Sequence, residues 1–417
     1  MATFNLRRFA SVDALKTIQE KHLRAFLAPS ERYFTSRGVS LDGVPAGVGM
    51  GSGASSEPVV ADDVDGLDYE GLISVFMLPD EDTPPELVDA LYMVHEMATP
   101  EAMGGLLGAI EALPPQDRFV LDESPDPTPA DVAVQVWLKA PRLLERKHSE
   151  QAMVGRRSFE YYLSREIPRR GFTLPSQSKL ERVERDLAEW FVSKRRGEHV
   201  QVQMYPKGDE VWFLVRHGEP FRREGALKGH VSSSICFRPE HHDVLVYNTL
   251  IGELRMNTAN KGDKDVYRRT FGLHLFGNEG HFPTTNRKYT LDPLRVDGKD
   301  SLVCTDVQGI DEIRLTEVKY YWGGPHGEIE TRQASDLFAA MESRHASIRK
   351  GKIVSAKFQV KFSGSKSPRS LTIRQPNIAK FTRDDDGRLI DDWLLKRGFS
   401  SARRVPDEEV AEALVSA

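Results

Sequence analysis

Two carboxylates and a lysine in the second half of the chain have the types and spacing of a metal-dependent hydrolytic site. Glu317 and Lys319 are separated by one residue in a segment whose alternation predicts a strand. Asp306 or Asp311 lies shortly upstream. In such chemistry two carboxylates hold a divalent ion, and the lysine positions the attacking water. Alternation would place Glu317 and Lys319 on the same face as Leu315, where charge is costly unless it is paired or functional.

This segment resembles the Glu-x-Lys strand of the PD-(D/E)xK nucleases. The resemblance implies Mg²⁺ or Mn²⁺ held by Asp306 and Glu317, with Lys319 as a catalytic residue. The same triplet is also common on exposed strands, where it forms an ion pair of little energetic value. A nuclease is therefore an alternative hypothesis for this protein.

A second short motif follows another apolar segment. Residues 211–215 are followed by Arg216-His217-Gly218, which resembles the strand-end signature of the histidine phosphatase family. The resemblance implies that His217 attacks phosphorus and that Arg216 holds the phosphoryl oxygens. In that family the segment lies on the first strand of a parallel sheet, whereas here a predicted hairpin precedes it. A strand-end histidine that is hydrogen-bonded or exposed is the other interpretation.

The segment Glu240-His241-His242-Asp243 contains further residues of metal-ligating types. Their position predicts a hairpin turn. Strand alternation would point His241 and His242 in opposite directions, so the two rings would not chelate one ion together. We interpret this segment as a solvated turn.

Charge is distributed very unevenly along the chain. Residues 344–383 carry eleven lysines and arginines and no acidic residue. Residues 42–131 carry twenty acidic residues and a single basic one, Arg118. The formal net charge of -5 conceals both blocks. The basic block indicates a surface for a polyanion, and the acidic block is a potential competitor within the same chain.

The basic block has the alternation of a β-ribbon. Residues 352–362 place apolar side chains on one face and Lys357 and Lys361 on the other, and residues 371–374 form the returning strand. A helix follows, so the unit resembles a winged helix. Cations on one connected face release counterions from phosphates, which favours nucleic-acid binding. The predicted nucleic-acid-binding residues are Arg349, Lys350, Lys352, Lys357, Lys361, Lys366, Arg369 and Arg374.

Two other interpretations of the ribbon stay open. A lysine-rich face can be a solvated surface that protects a strand edge from aggregation, or it can dock on an acidic surface, including that of the same chain. No aromatic residue interleaves with the ribbon cations, which argues against stacking of single-stranded bases. Five cations on the ribbon face would give a salt slope of about -4.5 on duplex DNA.

Composition predicts a globular multidomain protein, with 39% hydrophobic and 29% charged residues in a chain of 417. Two cysteines make neither a disulfide framework nor a zinc cage, and the first residues lack a signal-peptide pattern, so we expect a cytoplasmic protein. No apolar run near the start of the chain reaches bilayer length, so no membrane partner is expected.

The predicted fold class is α+β. We expect a helical N-terminal half, a mainly antiparallel sheet in the centre, and a C-terminal winged-helix-like ribbon and helix. The predicted domains are residues 1–130 (acidic and helical, with a flexible loop at about 43–56), 131–198 (a basic helical connector), 199–342 (central α+β), 343–400 (basic ribbon plus helix) and a tail at 401–417.

The leading hypothesis is a non-catalytic nucleic-acid-binding or assembly protein that needs no cofactor. Its basic C-terminal unit would contact the phosphate backbone of a nucleic acid. Its acidic helical domain would recruit a protein partner or compete with nucleic acid for the basic surface. The enzymatic alternatives are the Mg²⁺- or Mn²⁺-dependent nuclease and, more weakly supported, the phosphatase.

Overall fold

The structure is a computed structural model that describes residues 6–41, 66–122, 126–165, 172–228, 230–348, 350–383 and 386–401. Arg349 and the glycine-rich segment 43–56 lie outside these residues. The chain divides into two compact units, Met1–Ala152 and Met153–Ala417. Each unit has its own apolar core.

The first unit is helical. Proline is the first residue of four of its helices, where the missing N–H would have no helical partner. Thr99 and Thr128 cap two of them by accepting hydrogen bonds from the backbone N–H groups of Ala102 and Asp131. The described helices are α1 (Val12–Leu15), α2 (Glu20–Leu27), α3 (Glu31–Ser36), α4 (Tyr69–Met77), α5 (Pro85–Met97), α6 (Pro100–Glu111), α7 (Pro129–Lys139) and α8 (Pro141–Val154), with 3₁₀ turns at Arg7–Phe9 and Ala28–Ser30.

The second unit is built on a large antiparallel sheet. Its strands are β1 (Ser158–Leu163), β2 (Val200–Lys207), β3 (Glu210–Gly218), β4 (Arg222–Lys228), β5 (Val231–Phe237), β6 (Glu240–Asn248), β7 (Glu253–Asn257), β8 (Ile310–Gly323), β9 (Glu328–Gln333), β10 (Lys352–Phe362), β11 (Arg369–Arg374) and β12 (Ile378–Lys380). Ten of them form one sheet in the order β2-β3-β6-β7-β1-β12-β11-β10-β8-β9. The strands β4 and β5 form a separate hairpin in the connection from β3 to β6.

One face of this sheet carries an apolar core that extends into both of its halves. Trp212 and Val246 in one half and Leu315 and Phe358 in the other belong to a single core, which Trp393 also joins. The helices of this unit are α9 (Gln177–Ser193), α10 (Lys261–Phe276), α11 (Pro293–Val296), α12 (Leu337–Glu342) and α13 (Gly387–Lys396), with a 3₁₀ turn at Gly298–Leu302.

Among the described residues, helices cover the opposite face in only one half. There α9 and α10 pack on the strands around Phe213 and Leu245. Over β11, β10 and β8 the same face carries polar side chains that are mostly half-buried or exposed. We call this surface the bare face; its residues are Arg314, Glu317, Lys319, Lys357, Gln359, Lys361, Thr372 and Arg374.

The structure confirms the predicted α+β class and the large antiparallel sheet. The predicted ribbon is formed by β10 and β11, and β10 also pairs with β8. The strand β8, which precedes the predicted domain boundary at residue 343, and the strands β10 and β11, which follow it, therefore belong to one sheet. The finer domain boundaries stay predictions. Within the described residues, no helix combines the length and the apolar composition that crossing a bilayer requires.

Candidate functional site

A concavity on the bare face brings together three of the predicted nucleic-acid-binding lysines. Lys357 and Lys361 belong to β10, and Lys366 lies in the loop that joins β10 to β11. The volume of this concavity is about 610 Å³. Its lining is completed by Glu312, Arg314, Thr316, Gln333, Ala334, Ser335, Gln359 and Pro368.

The net charge of the concavity is positive. Its acidic side chain, Glu312, pairs with Arg314 at 2.6 Å, so these two charges cancel. Lys361 donates a hydrogen bond to a backbone carbonyl of the adjoining loop and keeps its charge. Lys357 and Lys366 have no ion-pair partner among the described residues. Three lysine charges are therefore available to an anionic ligand.

Uncharged polar groups lie among these lysines. Gln359 sits between the two β10 lysines, and its Oε1 is buried with no hydrogen-bond partner. Gln333 and Thr316 add a second amide and a hydroxyl. Amides offer both donors and acceptors to base edges and sugars. The concavity can therefore bind phosphates and hydrogen-bond to a neighbouring polar group of the same ligand.

Arg374 lies on the bare face, but Arg369 does not. Arg374 pairs with Ser355 of β10. Ser355 precedes Lys357 by two residues, so Arg374 lies on the same face as the lysines of β10. Arg369 pairs with the core residue Val360, and its guanidinium lies 3.0 Å from the carboxylate of Asp386. Residues that pair across antiparallel strands share a face. The prediction that Arg369 joins the lysine face is therefore wrong, since the returning strand begins at Arg369.

The start of β10 adds a cation and an aromatic ring to the bare face. Lys352 pairs with Tyr321, and Tyr321 is 39% exposed. Tyr321 follows Lys319 by two positions on β8, so both side chains point to this face. Lys350 is exposed just before the strand. The ribbon itself carries no exposed aromatic residue among its cations, but the neighbouring strand supplies one.

A bulge in β8 decides where the charges of the Glu-x-Lys triplet lie. Consecutive residues of β10 pair with Leu315 and Glu317, so Thr316 is an extra residue in β8. Glu317 and Lys319 therefore lie on the bare face, and the prediction that they share a face with Leu315 is wrong. Their side chains form an ion pair at 3.4 Å.

The upstream carboxylates are engaged elsewhere. Asp306 pairs with Arg397, and Asp311 accepts a hydrogen bond from Ser363. In the described part of the chain, the cluster of three metal-ligating side chains includes neither Asp306 nor Glu317. The nuclease stays a prediction without a converging set of carboxylates.

The segment from Glu240 to Asp243 is a strand. It begins β6, which pairs with β3 so that His241 lies opposite His217. Alternation points His241 and Asp243 to one face of the sheet and His242 to the other. The interpretation as a solvated turn is therefore wrong, because the β4–β5 hairpin makes the chain reversal before Glu240.

His217, His241 and Asp243 form the metal-ligating cluster of the described residues. The Nε2 atom of His217 is 3.2 Å from Oδ2 of Asp243, and the Nε2 atom of His241 is 3.4 Å from Oδ1. Phe191 of α9 stacks on the His217 ring with the centroids 4.0 Å apart. Tyr267 of α10 donates to Asp243 Oδ2 at 2.8 Å. The two helices thus close the cluster against the sheet.

The carboxylate of Asp243 is ionised at neutral pH. Burial alone would raise its pKa, but hydrogen bonds from His217 and Tyr267, together with the neighbouring His241 ring, outweigh burial and hold the pKa well below its usual range. The same contact with Asp243 raises the pKa of His241. On the other face of β6, burial lowers the pKa of His242.

The Arg216-His217-Gly218 motif ends β3. The His217 side chain has no exposed surface, and both of its ring nitrogens face hydrogen-bond partners. Arg216 lies 3.6 Å from Glu240. A Cβ on Gly218 would lie 2.3 Å from the Arg196 carbonyl oxygen, so glycine is required at this close approach. A nucleophilic histidine needs a nitrogen that substrate can reach, and the phosphatase stays a prediction that this geometry does not favour.

No family model matches the chain, and no curated protein matches it either.

Proposed function

We propose that this protein binds nucleic acid through the bare face of its sheet. Lys357, Lys361 and Lys366 would contact phosphates, and Gln359 would hydrogen-bond to a sugar or a base edge. The observation that carries the proposal is the concavity in which these three uncompensated lysines surround a buried amide oxygen without a hydrogen-bond partner.

The spacing of the cations favours a ligand with several separate anionic groups. Lys357 and Lys361 are four residues apart on one strand, which corresponds to about 13 Å. Lys357, Thr372 and Lys380 lie side by side on three adjacent strands. The two lysines are therefore two strand spacings apart, which is about 10 Å. One phosphate cannot contact cations this far apart. A phosphodiester chain can, because its charges repeat at a few ångströms along the strand.

Two further expectations belong to this proposal. The acidic helices of the first unit would bind a protein partner or compete with nucleic acid. The protein would act in the cytoplasm, where cysteines stay reduced; Cys236 and Cys304 are both free thiols.

Charge reversal on β10 tests the proposal. Lys357→Glu combined with Lys361→Glu should weaken binding of fluorescein-labelled 20-nucleotide probes at least tenfold, because two phosphate contacts become repulsive. Fluorescence anisotropy with single-stranded and duplex DNA and RNA measures the affinity. It also shows whether single strands bind more tightly than duplexes, as stacking of bases on an exposed ring would favour.

The matched control reverses two lysines that lie away from the bare face. Lys179→Glu is in the first turn of α9, where a carboxylate is tolerated, and Lys299→Glu is on the 3₁₀ turn at Gly298–Leu302. This double variant should bind like the wild type. An equal loss of affinity in both double variants would show that the effect comes from net charge alone. Absence of binding by the wild type would contradict the proposal.

A further inference from the structure

Both ring nitrogens of His217 face oxygen atoms. Its Nδ1 lies 2.9 Å from the carbonyl oxygen of Gly218, and its Nε2 lies 3.2 Å from Oδ2 of Asp243. The carbonyl and the carboxylate can only accept hydrogen bonds. With Nδ1–H donated to Gly218, the Nε2 lone pair faces the carboxylate, and a cation between these two atoms would bind both.

His241 repeats the arrangement from the neighbouring strand. Its Nε2 lies 3.4 Å from Oδ1 of Asp243, and its Nδ1 lies 3.5 Å from Oε1 of Glu219. Oδ1 of Asp243 is buried and has no hydrogen-bond partner. Both rings therefore present Nε2 to one carboxylate, and both have an acceptor behind Nδ1.

A histidine of the first unit is arranged differently. His22 places Nδ1 2.8 Å from Asp131 and Nε2 3.2 Å from Asp122, so each ring nitrogen faces a carboxylate of its own. In the second unit two histidines share Asp243, with one Nε2 atom beside each carboxylate oxygen.

We propose that His217 Nε2, His241 Nε2 and the carboxylate of Asp243 bind one divalent transition-metal ion. One ligand atom from each of the three residues lies within 4.8 Å of the other two. Ligands at about 2.1 Å from a metal, at angles between a right angle and the tetrahedral angle, are separated by about 3.0–3.5 Å. The two measured separations from Asp243, 3.2 and 3.4 Å, fall in this range.

The groups around these ligands have the roles that outer partners have in metal sites. Gly218 O and Glu219 would accept from Nδ1–H of the two histidines, which directs both Nε2 lone pairs at the metal. Tyr267 donates to Oδ2 of Asp243 and fixes the carboxylate. Phe191 holds the His217 ring in place.

The ligand set selects the class of metal. Two imidazoles and one carboxylate suit Zn²⁺ or Fe²⁺, whereas Ca²⁺ and Mg²⁺ prefer a set made of oxygens alone. Three protein ligands leave a coordination position for water. The His241 side chain is 43% exposed, so solvent reaches the cluster from its side.

Zinc binding by the untagged, chelator-treated full chain tests the proposal. Isothermal titration calorimetry, with metal content after dialysis as a second readout, should give one Zn²⁺ per chain. His241→Ala should weaken the affinity more than about 100-fold, because a ligand is lost. Tyr267→Phe should weaken it about 10-fold, the effect of losing an outer partner.

His242→Ala is the matched control, because this neighbouring histidine points to the other face of β6. It should bind zinc like the wild type, and bound Zn²⁺ should raise the melting temperature of both. Circular dichroism of His241→Ala separates loss of a ligand from loss of the fold. No zinc bound by the wild type, or equal binding by folded His241→Ala, would overturn the proposal in favour of an imidazolium–carboxylate pair.

Discussion

Replacing Trp393 with alanine is expected to lower the free energy of unfolding of the second unit by about 3–5 kcal/mol. Its ring is fully buried and packs against Phe358 of β10 and Phe399 at centroid distances of 5.6 and 5.1 Å. Its Nε1 donates to the carbonyl of Val303 at 3.1 Å. Truncation leaves a cavity behind the strand that carries the lysines and removes one of the two hydrogen bonds that the Val303 carbonyl accepts, the other coming from Arg397. Urea denaturation followed by circular dichroism measures the loss.

Leu395→Ala on the same helix provides the comparison. Its side chain is 44% exposed, so the expected loss is below about 1 kcal/mol. A similar loss for both variants would show that α13 does not anchor the sheet through Trp393.

Glu210→Ala is expected to destabilise the second unit by about 3–5 kcal/mol, for an electrostatic reason. The guanidinium of Arg255 donates to both Glu210 oxygens, at 2.6 and 2.8 Å. It lies over the Trp212 ring at 5.3 Å, and its Nε has no hydrogen-bond partner. Loss of Glu210 leaves a buried charge without its bidentate partner. Denaturant titration at pH 7 measures the change in unfolding free energy.

Two variants separate burial from pairing in this result. Glu312→Ala removes a similar pair with Arg314, but that pair is half exposed and its loss should change the unfolding free energy by less than about 1 kcal/mol. Glu210→Leu combined with Arg255→Met should be more stable than Glu210→Ala, because no charge stays buried. A Glu210→Ala protein as stable as Glu312→Ala would contradict the buried-pair assignment.

Local sequence patterns predict where a single strand lies and which of its side chains share a face. The alternation of residues 352–362 was sufficient for β10 and for the face of Lys357 and Lys361, since side chains of a strand repeat every two residues. The α+β class follows from the change from helical to alternating periods along the chain. Arg369 shows the limit, because its face depends on where the returning strand begins.

Features that depend on strand partners were not predictable. The bulge at Thr316 arises from the register between β8 and β10, which no local pattern contains. His217 meets His241 because β3 pairs with β6 across an inserted hairpin. His241 and Asp243 are two residues apart, so on a strand they share a face. The segment was instead predicted as a turn, where this spacing implies no shared face.

The salt dependence of nucleic-acid binding tests the central claim most directly. Lys357, Lys361, Lys366 and Arg374 supply four cations, so the logarithm of the affinity for duplex DNA should fall against the logarithm of salt concentration with a slope of about -3.6. The Lys357→Glu, Lys361→Glu protein should flatten that slope by about 1.8. Identical slopes for the wild type and this variant, or binding that salt leaves unchanged, would contradict contact between phosphates and the bare face.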